Sequence, residues 1–154
     1  MDKKKSVEVL NTLVEINNDR IAGYETAFKE TTESDLKNLF SDLMQTSKNC
    51  RAELVAEVLR LGGEPEEGTK TTGKLYRAFM DLRAALTGKD RKAILKSCEF
   101  GEDVAVDTYR KVLEDKTEDI NSQQVAMIKA QFGLIKAGHD KVKGLRDVLV
   151  KEKS

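Results

Sequence analysis

Apolar side chains recur every three or four residues along most of the chain, the spacing that gathers them on one face of an α-helix. Four long segments carry this repeat. The first runs through Leu10, Leu13, Asn17, Ile21, Tyr24 and Phe28, and the second through Leu36, Phe40, Leu43, Ser47, Cys50, Leu54, Val58 and Leu61. A third, reaching to about Glu114, holds Leu95, Cys98, Glu102, Ala105, Tyr109 and Val112. The fourth, reaching to about Val150, holds Ile128, Gln131, Ile135, Gly138, Val142, Leu145 and Leu149. A shorter segment with Leu75, Phe79, Leu82 and Leu86 lies between the second and third.

Punctuation sets the connections. Gly62, Gly63, Pro65, Gly68 and Gly73 cluster in LGGEPEEGTKTTGK and form the main break. Thr32 to Ser34 offer cap oxygens for the second helix, Gly88 suits the end of the short helix, and Asp90 suits the start of the next. EDKTEDINS separates the last two helices. Tight turns inside each pair predict antiparallel hairpins. Helices of ~27 to 31 residues are ~40 to 46 Å long, and the stretch from Gly62 to Gly88, with its own helix, can cover a similar distance. The predicted fold is all-α: one domain over residues 1–154, a four-helix bundle of two antiparallel hairpins joined by a long crossover that carries a short helix. This is ferritin-like connectivity.

Each stripe is apolar at its ends and polar near its middle, at Asn17, Ser47, Glu102 and the Gln131/Gly138/His139 neighbourhood. Midpoints of equal bundled helices meet in space, so a buried polar layer is expected there. Such a layer must bond internally, because an unpaired buried polar group costs ~1–3 kcal/mol. Sliding the first helix by 85 positions matches it to the third, pairing Asn17 with Glu102 and Tyr24 with Tyr109. The match suggests two hairpins related by internal pseudo-symmetry.

Composition narrows the function classes. Lys+Arg 27 against Asp+Glu 27 leaves no net charge to attract nucleic acid or an acidic membrane, so neither partner is expected. Two cysteines and one histidine cannot build a disulfide framework or a Cys/His zinc cluster within the chain. Cys50 and Cys98 lie on the stripes and read as buried packing residues. Glu8, Asn11 and Glu15 interrupt the apolar run a signal peptide would need, no stretch matches a transmembrane helix, and a cytoplasmic location is expected.

Glu102-x6-Tyr109, preceded one turn earlier by Glu99, resembles the carboxylate helix of ferritin-like di-iron proteins. LxxLxEIxxDxxxGY, ELxxEVxRLGGEP, DLRAALTGKD, CEFGEDxAxxxY and GHDKVKGLRD, spanning about Val7 to Val150, are together similar to a bacterial family of ferritin-like four-helix-bundle proteins of unassigned function. The resemblance implies the fold and leaves the activity to the site. The di-iron template asks for a Glu from each of two helices and a Glu-x-x-His pair from each of the other two. Against it, this chain places Asn17 at the matching depth of the first helix, Ser47 and Cys50 on the second, and Lys136-x-x-His139 on the fourth.

Two expectations follow. In the leading one the protein is non-enzymatic and works by binding or self-association with no cofactor. Its metal layer has degenerated into a hydrogen-bond network of Asn17, Ser47, Glu102, Gln131, Tyr24 and Tyr109, in which Glu102 shares bonds with Asn17 or Gln131. In the alternative, Glu99, Glu102 and His139, completed by Glu15 or water, bind iron or another divalent metal in an incomplete or mononuclear oxidoreductase-like site. A homo-oligomer could complete such a site, with Val14, Phe100, Val104 and Phe132 as off-stripe apolar residues for the interface. No particular protein partner is indicated.

Overall fold

The computed structural model describes residues 2–69 and 73–152, with side chains to position 149. Among them are four long helices, α1 (Lys3–Glu30), α2 (Ser34–Arg60), α4 (Arg91–Asp115) and α5 (Ser122–Glu152), and a shorter α3 (Lys74–Thr87). A single 3₁₀ turn, Thr117–Asp119, joins α4 to α5. No strand occurs among the described residues, and none of their helices is long and apolar enough to cross a membrane.

The core shows how the helices run. Val9, Leu10 and Leu13 from the start of α1 share one cluster with Cys50, Leu54 and Val58 from the end of α2. The same cluster takes Ala105, Tyr109 and Val112 from the end of α4 and Ile128 and Ile135 from α5. A second cluster joins Tyr24 and Ala27, Leu36 to Leu43, Ile94 to Cys98, and Val142, with Leu82 and Leu86 of α3. Starts therefore meet ends within both α1/α2 and α4/α5, which makes each an antiparallel hairpin. α3 lies across α1 and α4.

Local chemistry explains the joints. Asp90 accepts from the Ala93 amide at 3.2 Å and caps α4 as expected. α2 begins differently: Glu33 is its N-cap and makes no side-chain capping bond, while the serving hydroxyl is that of buried Thr31, which accepts from the Glu33 amide at 3.3 Å. At the end of α2, Gly62 takes φ 79°, a left-handed value that glycine adopts without a Cβ clash. At the end of α3 the left-handed residue is Lys89 (φ 55°), whereas Gly88 stays right-handed. Two asparagines of α1 hold the crossover loop. Asn11 donates to the Glu64 carbonyl and accepts from the Glu66 amide, and Asn18 donates to the carbonyls of Glu66 and Gly68. α3 docks where α1 has Gly23, whose missing side chain leaves the space the Phe79 ring fills.

Candidate functional site

The two apolar clusters are separated by a polar level to which all four long helices contribute. On α2, Ser47 lies between Leu43 of one cluster and Cys50 of the other; on α4, Glu102 lies between Cys98 and Ala105. α1 brings Arg20, fully buried and the largest side chain in the core. Its Nε donates to Glu102 Oε2 at 3.0 Å, its Nη2 to Glu102 Oε1 at 2.7 Å and its Nη1 to Ser47 Oγ at 2.6 Å. Tyr24 adds its hydroxyl to Glu102 Oε2 at 2.7 Å. Both Glu102 oxygens thus only accept. α5 meets this level with Gly138, where a Cβ would fall 2.8 Å from Leu43 Cδ2 and 3.2 Å from Glu102 Oε1. Three helices supply the polar groups and the fourth makes room for them.

One turn further along the helices is a second tier. Asn17 donates to the Tyr109 hydroxyl at 2.8 Å, and that hydroxyl donates to Gln131 Oε1 at 2.8 Å. Gln131 Nε2 then donates to the Cys50 carbonyl and to Glu53 Oε1. Asn17 Oδ1 is buried without a hydrogen-bond partner. Tyr24 of α1 thus reaches the polar residue of α4, and Tyr109 of α4 reaches that of α1, the crossing that the 85-position match pairs. Glu102 bonds with Arg20 and Tyr24, while Asn17 and Gln131 are joined to each other through Tyr109.

Electrostatics follow the burial. Desolvation is the largest single influence on the guanidinium pKa of Arg20 and lowers it, but the charge and hydrogen bond of Glu102 together with the Tyr24 and Tyr109 hydroxyls outweigh it and leave the group above its ordinary value. Burial, then the Glu102 charge, holds the Tyr24 phenol well above its usual range, and burial does the same for Tyr109. Both phenols stay protonated and serve as donors. The ring of Tyr24 is fixed by Phe40, stacked at 5.8 Å, and by Phe79, edge-on at 5.2 Å. Burial pushes the Cys50 thiol up to about 11 and the Cys98 thiol higher still, which opposes thiolate chemistry.

Arg20 is absent from the stripe expected for α1. That stripe passes through Ile21 and Phe28, which are only half-buried, whereas Arg20 and Ala27 are buried. The signal was present nonetheless: a carboxylate on an apolar face requires a cation, and Arg20 stands one turn from both Asn17 and Tyr24.

The residues proposed as metal ligands divide between two places. Glu102 belongs to the Arg20 pair. Glu99 and His139 come together on the α4–α5 face, and the third group there is Asp103, with ligand atoms of all three within 4.8 Å of one another. Glu15, half-buried on α1, is not in this group. His139 Nε2 lies 2.6 Å from Asp103 Oδ1 and Nδ1 lies 3.1 Å from Asp140 Oδ1. Partial desolvation lowers the imidazole pKa, but the bonds to Asp140 and Asp103 outweigh this and raise it above its ordinary value. Glu99 pairs with Arg146, Nε to Oε2 at 2.9 Å, with neither atom aligned for a hydrogen bond. Lys136 pairs with Asp140 at 3.4 Å.

Of the off-stripe apolar residues, Val14 is inside the core, Val104 and Phe132 are half-buried and Phe100 is exposed. Tyr76 and Met80, one turn apart on α3, are also exposed. They border a mainly apolar cleft between α1 and α3 that is floored by Gly23, Phe79 and Leu82.

A family model described as a domain of unknown function (DUF2383) matches residues 5–115, which runs from the first turn of α1 to the end of α4. α5, with Gln131, Gly138 and His139, lies beyond the match. No curated protein sequence matches the chain.

Proposed function

The chain belongs to this family of unknown function, and we propose that it is a cytoplasmic, non-enzymatic ferritin-like bundle, one four-helix domain with a crossover helix, that acts by binding or self-association. The observation that carries this reading is the Arg20–Glu102 pair. In a di-iron bundle, inward carboxylates at the middle of the helices are neutralised by metal. Here a guanidinium from α1 supplies the positive charge and occupies both oxygens of the Glu102 carboxylate. A metal at the same place would have to displace a buried cation. Self-association draws its support from Tyr76, Met80 and Phe100, large apolar side chains left exposed on α3 and α4.

Two measurements test the reading. Sedimentation at micromolar loadings should give a dimer or larger species, and a monomer at every loading would remove self-association. Unfolding of wild type and Glu102→Gln, each with and without chelator, should show the same loss in both conditions. A loss confined to the chelator-free protein would put a cation at Glu102 and overturn the metal-free layer.

A further inference from the structure

The geometry points to a mononuclear site for a divalent transition-metal ion on the α4–α5 face, held by Glu99, Asp103 and His139 and separate from the Arg20–Glu102 pair. Glu99 and Asp103 stand one turn apart on α4, and His139 faces them from α5. The three ligand atoms already lie within 4.8 Å of each other. Ligands bound at ~2.0–2.2 Å around a tetrahedral ion are about 3.4 Å apart. The ion therefore asks for a side-chain adjustment of about an ångström, with no helix movement. His139 Nε2 and Asp103 Oδ1 lie in hydrogen-bond contact at 2.6 Å. The metal enters between them, and the two atoms open to the wider spacing.

A second feature distinguishes this cluster from a chance meeting of surface charges. A metal-bound imidazole almost always donates its other N–H to a carboxylate, a backbone carbonyl or water, which fixes the tautomer and ring orientation. Asp140 Oδ1 stands 3.1 Å from Nδ1 and does this for His139, aiming Nε2 at Asp103. One imidazole and two carboxylates form a nitrogen–oxygen set whose two negative charges balance a dication. This suits zinc, cobalt(II), iron(II) or manganese(II), and not the copper(I) that sulfur ligands select. Water completes the coordination on the open side, where Asp103 is 57% exposed.

Arg146 is the competitor built into the site. It lies against Glu99 Oε2 in poor hydrogen-bond alignment, so it neutralises Glu99 at the expense of an incoming dication. Lys136 plays a weaker part at Asp140. Glu102 takes no part, since Arg20 and Tyr24 occupy its oxygens.

The test titrates chelator-stripped full-length protein with cobalt(II), read by its visible d–d absorption, and with zinc(II), read by calorimetry. One ion should bind per chain. His139→Ala should abolish the cobalt spectrum, Asp140→Asn should weaken binding about tenfold, and Arg146→Gln should tighten it. All three positions are at least partly exposed, and an unchanged helical circular dichroism signal would show the variants folded. The assignment is overturned by absence of saturable binding to wild type, by wild-type affinity in His139→Ala, or by weaker binding in Arg146→Gln. None of these outcomes depends on Glu102, so the metal-free central layer is tested independently.

Discussion

Arg20 on α1 and Glu102 on α4 face each other through two parallel hydrogen bonds of 3.0 and 2.7 Å, with no solvent exposure on either side chain. Such a pair draws little net stability from its own attraction, because both charges have left water. Removing one partner is another matter, since the survivor is stranded. Glu102→Leu and Arg20→Met should each cost about 3–5 kcal/mol, a large share of the ~5–15 kcal/mol typical of a domain. The double variant Arg20→Met/Glu102→Leu should recover most of that loss. Urea unfolding of the four proteins measures it, and additive losses in the double variant would show that the two residues are not coupled.

Most of the fold is legible in the period of the apolar residues, while the centre of the site is legible only in part. The stripes of α2 and α4 are buried at nearly every position read from the repeat, because packing there follows hydrophobicity. On α1 the same rule turns the helix slightly the wrong way. It admits Ile21 and Phe28 and rejects Arg20, although Arg20 and Ala27 are the buried residues. A hydrophobic repeat discounts a charged residue even when its partner, Glu102, is conspicuous on the facing helix. Asp103 escaped for the opposite reason: beside Glu102 it reads as part of the solvated face, and only the distance between α4 and α5 brings it to His139.

Gly138 should be intolerant of alanine, against the usual preference of a helix interior. Alanine for glycine in an exposed helix gains up to about 1 kcal/mol, and Gly133 and Gly144, with nothing within 4 Å of a built Cβ, should show that gain. At Gly138 the Cβ meets Leu43 at 2.8 Å and the Glu102 carboxylate at 3.2 Å, so Leu43 must move and the ion pair must loosen. Gly138→Ala should therefore lose about 1–3 kcal/mol. Thermal unfolding of the three variants should split them in sign.

Cys50 and Cys98 should resist thiol reagents in the folded protein. Both are buried, and burial raises the Cys50 thiol to about 11 and Cys98 further, so almost no thiolate exists at neutral pH. A chromogenic disulfide reagent at pH 8 should react with both only at the rate of unfolding, and at once in denaturant. Rapid labelling of native protein would contradict the packing of either residue.

At the end of the molecule where the α1–α2 turn meets the start of α4, Arg91 bridges Asp35 and Glu33, with Nη2 to Asp35 Oδ2 at 2.6 Å and Nη1 to Glu33 Oε1 at 3.1 Å. The bond from Arg91 is the chief reason the Asp35 carboxyl sits below its ordinary value, reinforced by the Leu36 amide and opposed by slight desolvation. The sign follows from linkage. A carboxyl that binds its proton less readily folded than unfolded stabilises the fold at pH values above its unfolded pKa, and that contribution disappears as pH falls through the folded value. Its size is small, below about 1 kcal/mol, because the Asp35 side chain is largely exposed and solvent screens the pair. Wild type should therefore exceed Asp35→Asn in stability at pH 7, and the two should converge as pH falls below about 4, near the ordinary aspartate value. High salt at pH 7 should narrow the gap in the same way. Denaturant midpoints across pH 2.5 to 7 would decide it, and a gap as wide at pH 2.5 as at pH 7 would rule out the ion pair as its source.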